Sequence, residues 1–229
     1  MKRFLNILPL ALIVLFFVCA VISWIGNVYG WQCRNVLSGE GLRWLVSMIM
    51  DNFNRSPWDY VVLSTATVSV ISESGIITGF NKQKYLRQKR AYMLVLLILF
   101  LIALFVIVFT LLPGNVLMSA FGTFQNSAMQ KGLFPMLAIA FYVIAVVYGY
   151  ATGRFYNVDD IFRATVALPA KIAQYFITMF VASQFLSLLL FAFCLDYTPG
   201  MDYPLPVLCL AVGLYVVPLL CHCFIAYEK

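Results

Sequence analysis

Six stretches of about twenty consecutive apolar residues, the length of helix that crosses a bilayer core, limit what this chain can become. They cover 4–25, 57–80, 91–112, 133–152, 172–195 and 205–227, and together they take up most of the 229 residues. With 63% hydrophobic and only 10% charged residues, the chain has more apolar side chain than a soluble interior of this size can enclose. Lipid is the remaining solvent. Inside lipid every backbone N–H and C=O has to bond within the chain, so each stretch is expected to be helical. A membrane barrel would need short alternating strands, and no such alternation is visible. The expected fold is an all-α, polytopic membrane bundle of about six spans in a single membrane domain, 1–229.

The charges set an orientation. Residues 81–90 hold Lys82, Lys84, Arg87, Lys89 and Arg90, the densest cationic run in the chain. With six spans and the amino terminus inside, eleven cations fall on the inner side: Lys2, Arg3, these five, Arg154, Arg163, Lys171 and Lys229. Four fall outside, namely Arg34, Arg43, Arg55 and Lys131. That bias fits the positive-inside rule and predicts that both termini are cytoplasmic, with 81–90 a basic cytoplasmic loop. The first stretch exceeds the apolar core of a signal peptide and lacks a small-x-small cleavage site, so it is expected to be retained as a span. Although the net charge is +6, its cations sit at the ends of apolar stretches. No basic stripe interleaves with stacking aromatics, which argues against a nucleic-acid partner.

Between the first two spans, 40–53 places Leu42, Leu45, Val46, Ile49 and Phe53 on one helical face, as an amphipathic helix on the membrane surface would. The second span differs from the others. It carries Ser64, Thr65, Thr67, Ser69, Ser72, Glu73, Ser74, Gly75 and Thr78, a small and hydroxylated side suited to close packing or to a wet cavity. A carboxyl group at membrane depth costs several kcal/mol to insert. Glu73 is therefore a candidate for ion coupling or transport, with Ser69, Ser72 and Ser74 beside it. The alternative places Glu73 two turns from the cytoplasmic end, where it meets water or Lys82. Gly75, Gly149 and Gln184 are helix-packing candidates, since glycine permits close approach and a mid-span amide usually bonds a neighbouring helix.

The six cysteines are too scattered for a disulfide framework, and the Cys221-His222-Cys223 run has the wrong spacing for a structural zinc site. No phosphate loop, nucleophile elbow, HExxH or paired carboxylates are visible, so neither an enzyme nor a cofactor or metal is expected.

Two collinear stretches resemble the p-aminobenzoyl-glutamate transporter family. The first is Asn35-Val-Leu-Ser-Gly-Glu-Gly-Leu-Arg-Trp44, then Asp51-Asn-Phe53, then Ser72-Glu-Ser-Gly75. It is similar to the family's "NLLSxEGLRW", "NF" and "AExxGL" elements. The second is Lys131-Gly-Leu-Phe-Pro135, Tyr148-Gly-Tyr-Ala-Thr-Gly153, Asp159-Asp160 and Gln184-Phe185, similar to "KGxxPL", "YGxxTG", "DV" and "AQF". The resemblance implies a multi-pass protein of the bacterial inner (plasma) membrane, a homodimer or a partner of another membrane subunit, and a small anionic substrate moved with an ion or proton gradient. Glu73 matches the family's "AE" position. Family members are longer and carry, between the two stretches, further helices and a re-entrant hairpin; here only 81–90 bridges that gap. The resemblance therefore also implies an alternative, a non-transporting scaffold, dimerisation or regulatory subunit built from the transporter's frame helices.

Overall fold

A computed structural model describes residues 2–80, 86–111, 127–193 and 205–227. Among the described residues ten helices follow in order: α1 (Lys2–Val28), α2 (Gly39–Ser47), α3 (Ile49–Asn54), α4 (Trp58–Ser74), α5 (Ile76–Phe80), α6 (Leu86–Leu111), α7 (Ala128–Thr152), α8 (Val158–Lys171), α9 (Ala173–Ala192) and α10 (Leu205–Tyr227). No strand occurs among them. Among the described residues six helical segments are long and apolar enough to cross a membrane: Leu5–Val28, Trp58–Gly79, Arg87–Val108, Gly132–Thr152, Ala173–Ala192 and Val207–Ala226. The protein is a multi-pass helical membrane protein.

Three segments differ from the sequence expectation. The charged stretch between the fourth and fifth apolar stretches, with Arg154, Asp159, Asp160, Arg163 and Lys171, reads by sequence as a loop but forms α8 from Val158 onward. Its first turn carries Asp159 and Asp160 and its last turn Lys171, signs that suit the two ends of the helix dipole. The basic run 81–90 is helical from Leu86 onward, while 81–85 lies outside the described residues. The amphipathic segment expected at 40–53 is helical but broken at Met48 into α2 and α3, and it lies along α9, as described below.

The chain divides into two compact units, one of 1–58 with 171–229 and the other of 59–170. In the first, α9 is the central element and packs against α1, α3 and α10. Of its membrane-length stretch 61% is buried, against 11–39% for the other five. Tyr175, Met179, Ala182 and Leu188 are sealed on it. Leu12 of α1 packs with Ala182 and Phe185, and Ala20 with Leu188 and Ala192.

In the second unit α6 packs against α7, and Ala91 and Val95 meet Ile144 and Tyr148. The end of α4 joins α7 and α8 through Val70, Ala145, Phe155 and Ala164. The Tyr92 hydroxyl donates to the Ile76 carbonyl at 2.8 Å. Gly79 lies so close to the Tyr148 hydroxyl that a Cβ there would collide with it.

Both units contain a span that ends the same way. α1 closes with Gly30 at φ 77°, and α7 with Gly153 at φ 72°. The Trp31 N–H donates to the Gly26 carbonyl and the Arg154 N–H to the Gly149 carbonyl, each at 2.8 Å. Trp31 then folds onto Gly26, and Phe155 onto Gly149. These are Schellman ends, which bond carbonyls that lipid would leave bare. Each is followed by a shorter helical segment, α2–α3 or α8.

Substituting Gly153 with Ala should lower stability by about 1–2 kcal/mol, the cost of a left-handed residue bearing a Cβ, and that Cβ also meets the Arg87 guanidinium. Gly132→Ala, inside α7 with only an ordinary contact to Met136 at 3.7 Å, should be neutral or stabilising. Thermal unfolding of the two purified variants in one detergent checks the contrast.

Candidate functional site

Several buried polar groups of the first unit lie where α2–α3 meets α9. The chain leaves α1 through a loop held by Ser23, whose hydroxyl donates to the Arg34 carbonyl at 2.5 Å and accepts from the Val36 N–H at 3.0 Å. The Arg34 N–H reaches the last turn of α9, at the Ala192 carbonyl, 2.8 Å away. The Asn35 side chain accepts from the Leu37 N–H at 2.9 Å, and Ser38 caps α2 by accepting from the Gly41 N–H at 3.1 Å. Gly41 is forced by the Val36 carbonyl, which leaves no room for a Cβ. The run Asn35 to Trp44 is thus a turn, a cap and a close approach that start α2 against α9.

From there the segment descends along α9. Trp44 stacks on Phe191 at 4.3 Å between ring centroids, and Phe53 meets Phe180 at 5.5 Å. Phe191 and Phe180 are three turns apart, about 16 Å at the helical rise. Between these contacts lies Gln184, which donates to the Ile49 carbonyl at 2.9 Å and accepts from the Asn52 side chain at 3.3 Å. Ile49 opens α3, and its carbonyl accepts the Gln184 amide from the neighbouring helix. Gln184 therefore ties α9 to α3, a short helix beside the middle of α9. Asn52 is 3% exposed. It is spaced three from Ile49 and seven from Leu45, on the apolar face of the segment. That misplaced polar residue was the sequence signal for the junction.

The hydroxyls of α4 do not converge on a common site. The Ser69 hydroxyl donates to the Ala164 carbonyl at 2.5 Å and accepts from the Leu168 N–H at 2.9 Å. It joins both members of one i to i+4 pair of α8, one residue before Pro169, where the ladder is already interrupted. Thr65 and Thr67 donate back to the Val61 and Leu63 carbonyls of their own helix, and Thr67 also reaches Ala138 of α7 at 3.3 Å. Ser74 is buried and bonds Ile71 at 2.9 Å, while Ser72 is exposed.

Glu73 is also exposed, in the last turn of α4 before Gly75 at φ 67°. Its carbonyl accepts from Arg154 Nη1 at 3.1 Å. The guanidinium occupies the space a Cβ on Gly75 would need. Arg87 treats the end of α7 alike, donating to the Ala151 carbonyl at 3.3 Å and lying against Gly153. Both arginines cap a helix terminus with the favoured sign of charge. The Glu73 side chain shares a recess of about 460 Å³ with Arg154, Asp160 and Arg163. Asp160 accepts from the Tyr156 and Asn157 N–H groups at 3.0 and 3.1 Å, reaching back to the start of α8. These bonds, that from Tyr156 foremost, favour the ionised carboxylate and lower its pKa. Gly149 is a local packing glycine, opened for Phe155 of its own return turn.

His222 lies 8% exposed beside Tyr175, with ring centroids 6.2 Å apart, and its Nε2 has no hydrogen-bond partner among the described residues. No group of three potential metal ligands is found among the described residues. Compared with known proteins, the chain matches no family model, no curated protein and no solved structure.

Gln184→Leu removes partners from Ile49 and Asn52 together and should cost about 1–3 kcal/mol, read as a lower unfolding midpoint and faster proteolysis within 49–54. Asp160 stabilises α8 above the ordinary carboxylate pKa, and that contribution fades as pH falls through the lowered folded value. Asp160→Asn should therefore flatten the acid side of the thermal stability profile and leave neutral pH less affected in slope.

Proposed function

We propose that the protein is a transport-related membrane protein of the p-aminobenzoyl-glutamate transporter kind, moving a small organic anion with an ion or proton gradient. It works in the inner (plasma) membrane as a homo-oligomer or with another membrane subunit, with both termini cytoplasmic. The observation that carries this reading is the α2–α3 segment, an interrupted helix fastened to the middle of the membrane-length helix α9 by Gln184 and Asn52. Interrupted helices at the midplane are where secondary transporters build their solute and ion sites, because freed backbone groups and polar side chains can meet a ligand there. Glu73 is the coupling candidate. Its carboxylate belongs to no helix cap and stands among Arg154, Asp160 and Arg163, so an ion can meet it there without dismantling the fold.

A second reading, a scaffold or regulatory subunit without transport, draws support from α4. Its hydroxyls at Thr65, Thr67 and Ser69 bond backbone carbonyls of α4, α7 and α8 and leave no hydroxyl-lined path there.

The test is gradient-driven flux of p-aminobenzoyl-glutamate in proteoliposomes. Transport predicts saturable uptake that Glu73→Gln abolishes while the thermal midpoint stays near the parent value. Absence of flux from the purified chain, alone and with any co-purifying subunit, would leave the scaffold reading standing; undiminished flux in Glu73→Gln would remove that residue's role.

A further inference from the structure

The recess of about 460 Å³ between the end of α4 and the first half of α8 holds charges of both signs. Two of its four charged groups are already engaged with backbone. The Asp160 carboxylate accepts from the Tyr156 and Asn157 N–H groups, and Arg154 gives one N–H to the Glu73 carbonyl, which leaves the rest of its five-donor fork open. The Glu73 carboxylate and the Arg163 guanidinium are exposed and make no hydrogen bond or ion pair within 4.0 Å among the described residues. A ligand entering the recess therefore meets two guanidinium groups and one unengaged carboxylate. Next to it α8 carries a bare apolar stripe: Val158, Phe162 and Val166 recur every four residues at 66%, 65% and 53% exposure. Ala164 and Leu168 of the same helix bond Ser69, in the middle of the membrane-length stretch Trp58–Gly79. The stripe thus starts beside the charged recess and runs towards the middle of α4. At about 100° of turn per residue, Arg163 falls between the two.

We propose that the recess and the stripe together bind one zwitterionic phospholipid with a primary-amine headgroup, of the phosphatidylethanolamine class. Its phosphate lies against Arg154 and Arg163, its ammonium against Glu73, and an acyl chain along Val158, Phe162 and Val166. Guanidinium groups hold phosphate oxygens through charge-assisted bonds. The carboxylate beside them sets the class. It repels a headgroup that carries only negative charge, and it accepts from a primary ammonium, whereas a quaternary ammonium has no N–H to give. The stripe sets the form of the ligand. A chain lying on it brings its own headgroup to the charged end, so the attached headgroup reaches the recess at a far higher effective concentration than a free one. This binding does not rest on the transport reading above, although the two share Glu73.

The probe is phosphatidylethanolamine added to the detergent-purified chain. Its controls are phosphatidylcholine and phosphatidylglycerol with the same acyl chains, and glycerophosphoethanolamine, which has none. Phosphatidylethanolamine should raise the melting temperature saturably and at lower concentration than any control. Arg163→Gln should weaken the effect about tenfold, the order expected for one charge-assisted bond. Glu73→Gln should remove the preference over phosphatidylcholine. Both side chains are exposed, so both variants should melt near the parent without added lipid; if one does not, the other decides. The proposal is overturned if phosphatidylcholine or phosphatidylglycerol matches phosphatidylethanolamine, if glycerophosphoethanolamine alone gives the same shift and marks a solute site, or if the preference survives both substitutions. Loss of flux in Glu73→Gln with the lipid preference intact would keep the coupling role and discard this site. Loss of the preference with flux unchanged would keep the site and discard the coupling role.

Discussion

Lipid offers a backbone no hydrogen-bond partner, and every departure from straight helix in this protein is arranged around that constraint. Each break leaves carbonyls or N–H groups that water would satisfy at the surface of a soluble protein. Among the described residues the chain supplies partners at three such ends. Schellman bonds close α1 and α7, and Arg154 takes the Glu73 carbonyl at the end of α4. Ser69 serves α8 beside Pro169. The polar residues that looked chemical in an apolar sequence are mostly these partners.

The six spans were legible because a run of apolar residues has one physical outcome in lipid. The finer pattern was legible only where local geometry decides it. Gly153 and its preceding glycine four residues away mark a helix end whatever surrounds them. Ser69 could be read as packing or as lining water, and only the position of α8 decides between them. α8 itself escaped because Asp159, Asp160, Arg163 and Lys171 resemble a loop by composition, although acids at one end and a lysine at the other suit a helix. The break at Met48 carries no glycine or proline and has no local signal. It follows from the fit of α2 and α3 against successive turns of α9.

The two units share a plan: one span closed by a glycine, a shorter helical segment after it, and two further spans from the other half of the sequence. In both, the shorter segment is fastened to a long helix by side chains that bond backbone, Gln184 to Ile49 in one and Ser69 to Ala164 and Leu168 in the other. Function is proposed at the first of these fastenings and at the acid end of the second unit's α4. The first combines a helix interruption with the amides of Gln184 and Asn52, the second a helix end with the Glu73 carboxylate.

The enclosure of α9 also bears on how the molecule is made. The second unit is one continuous stretch of chain, so its helices can come together soon after they leave the ribosome. The first unit joins 1–58 to 171–229. Its opening span must wait in the bilayer, with Leu12 and Ala20 turned to lipid or to a chaperone, until the helix that covers them has been synthesised. During that interval the half-made product displays an unfilled seam, and a slow or interrupted translation would lengthen the time in which quality-control proteases can recognise it.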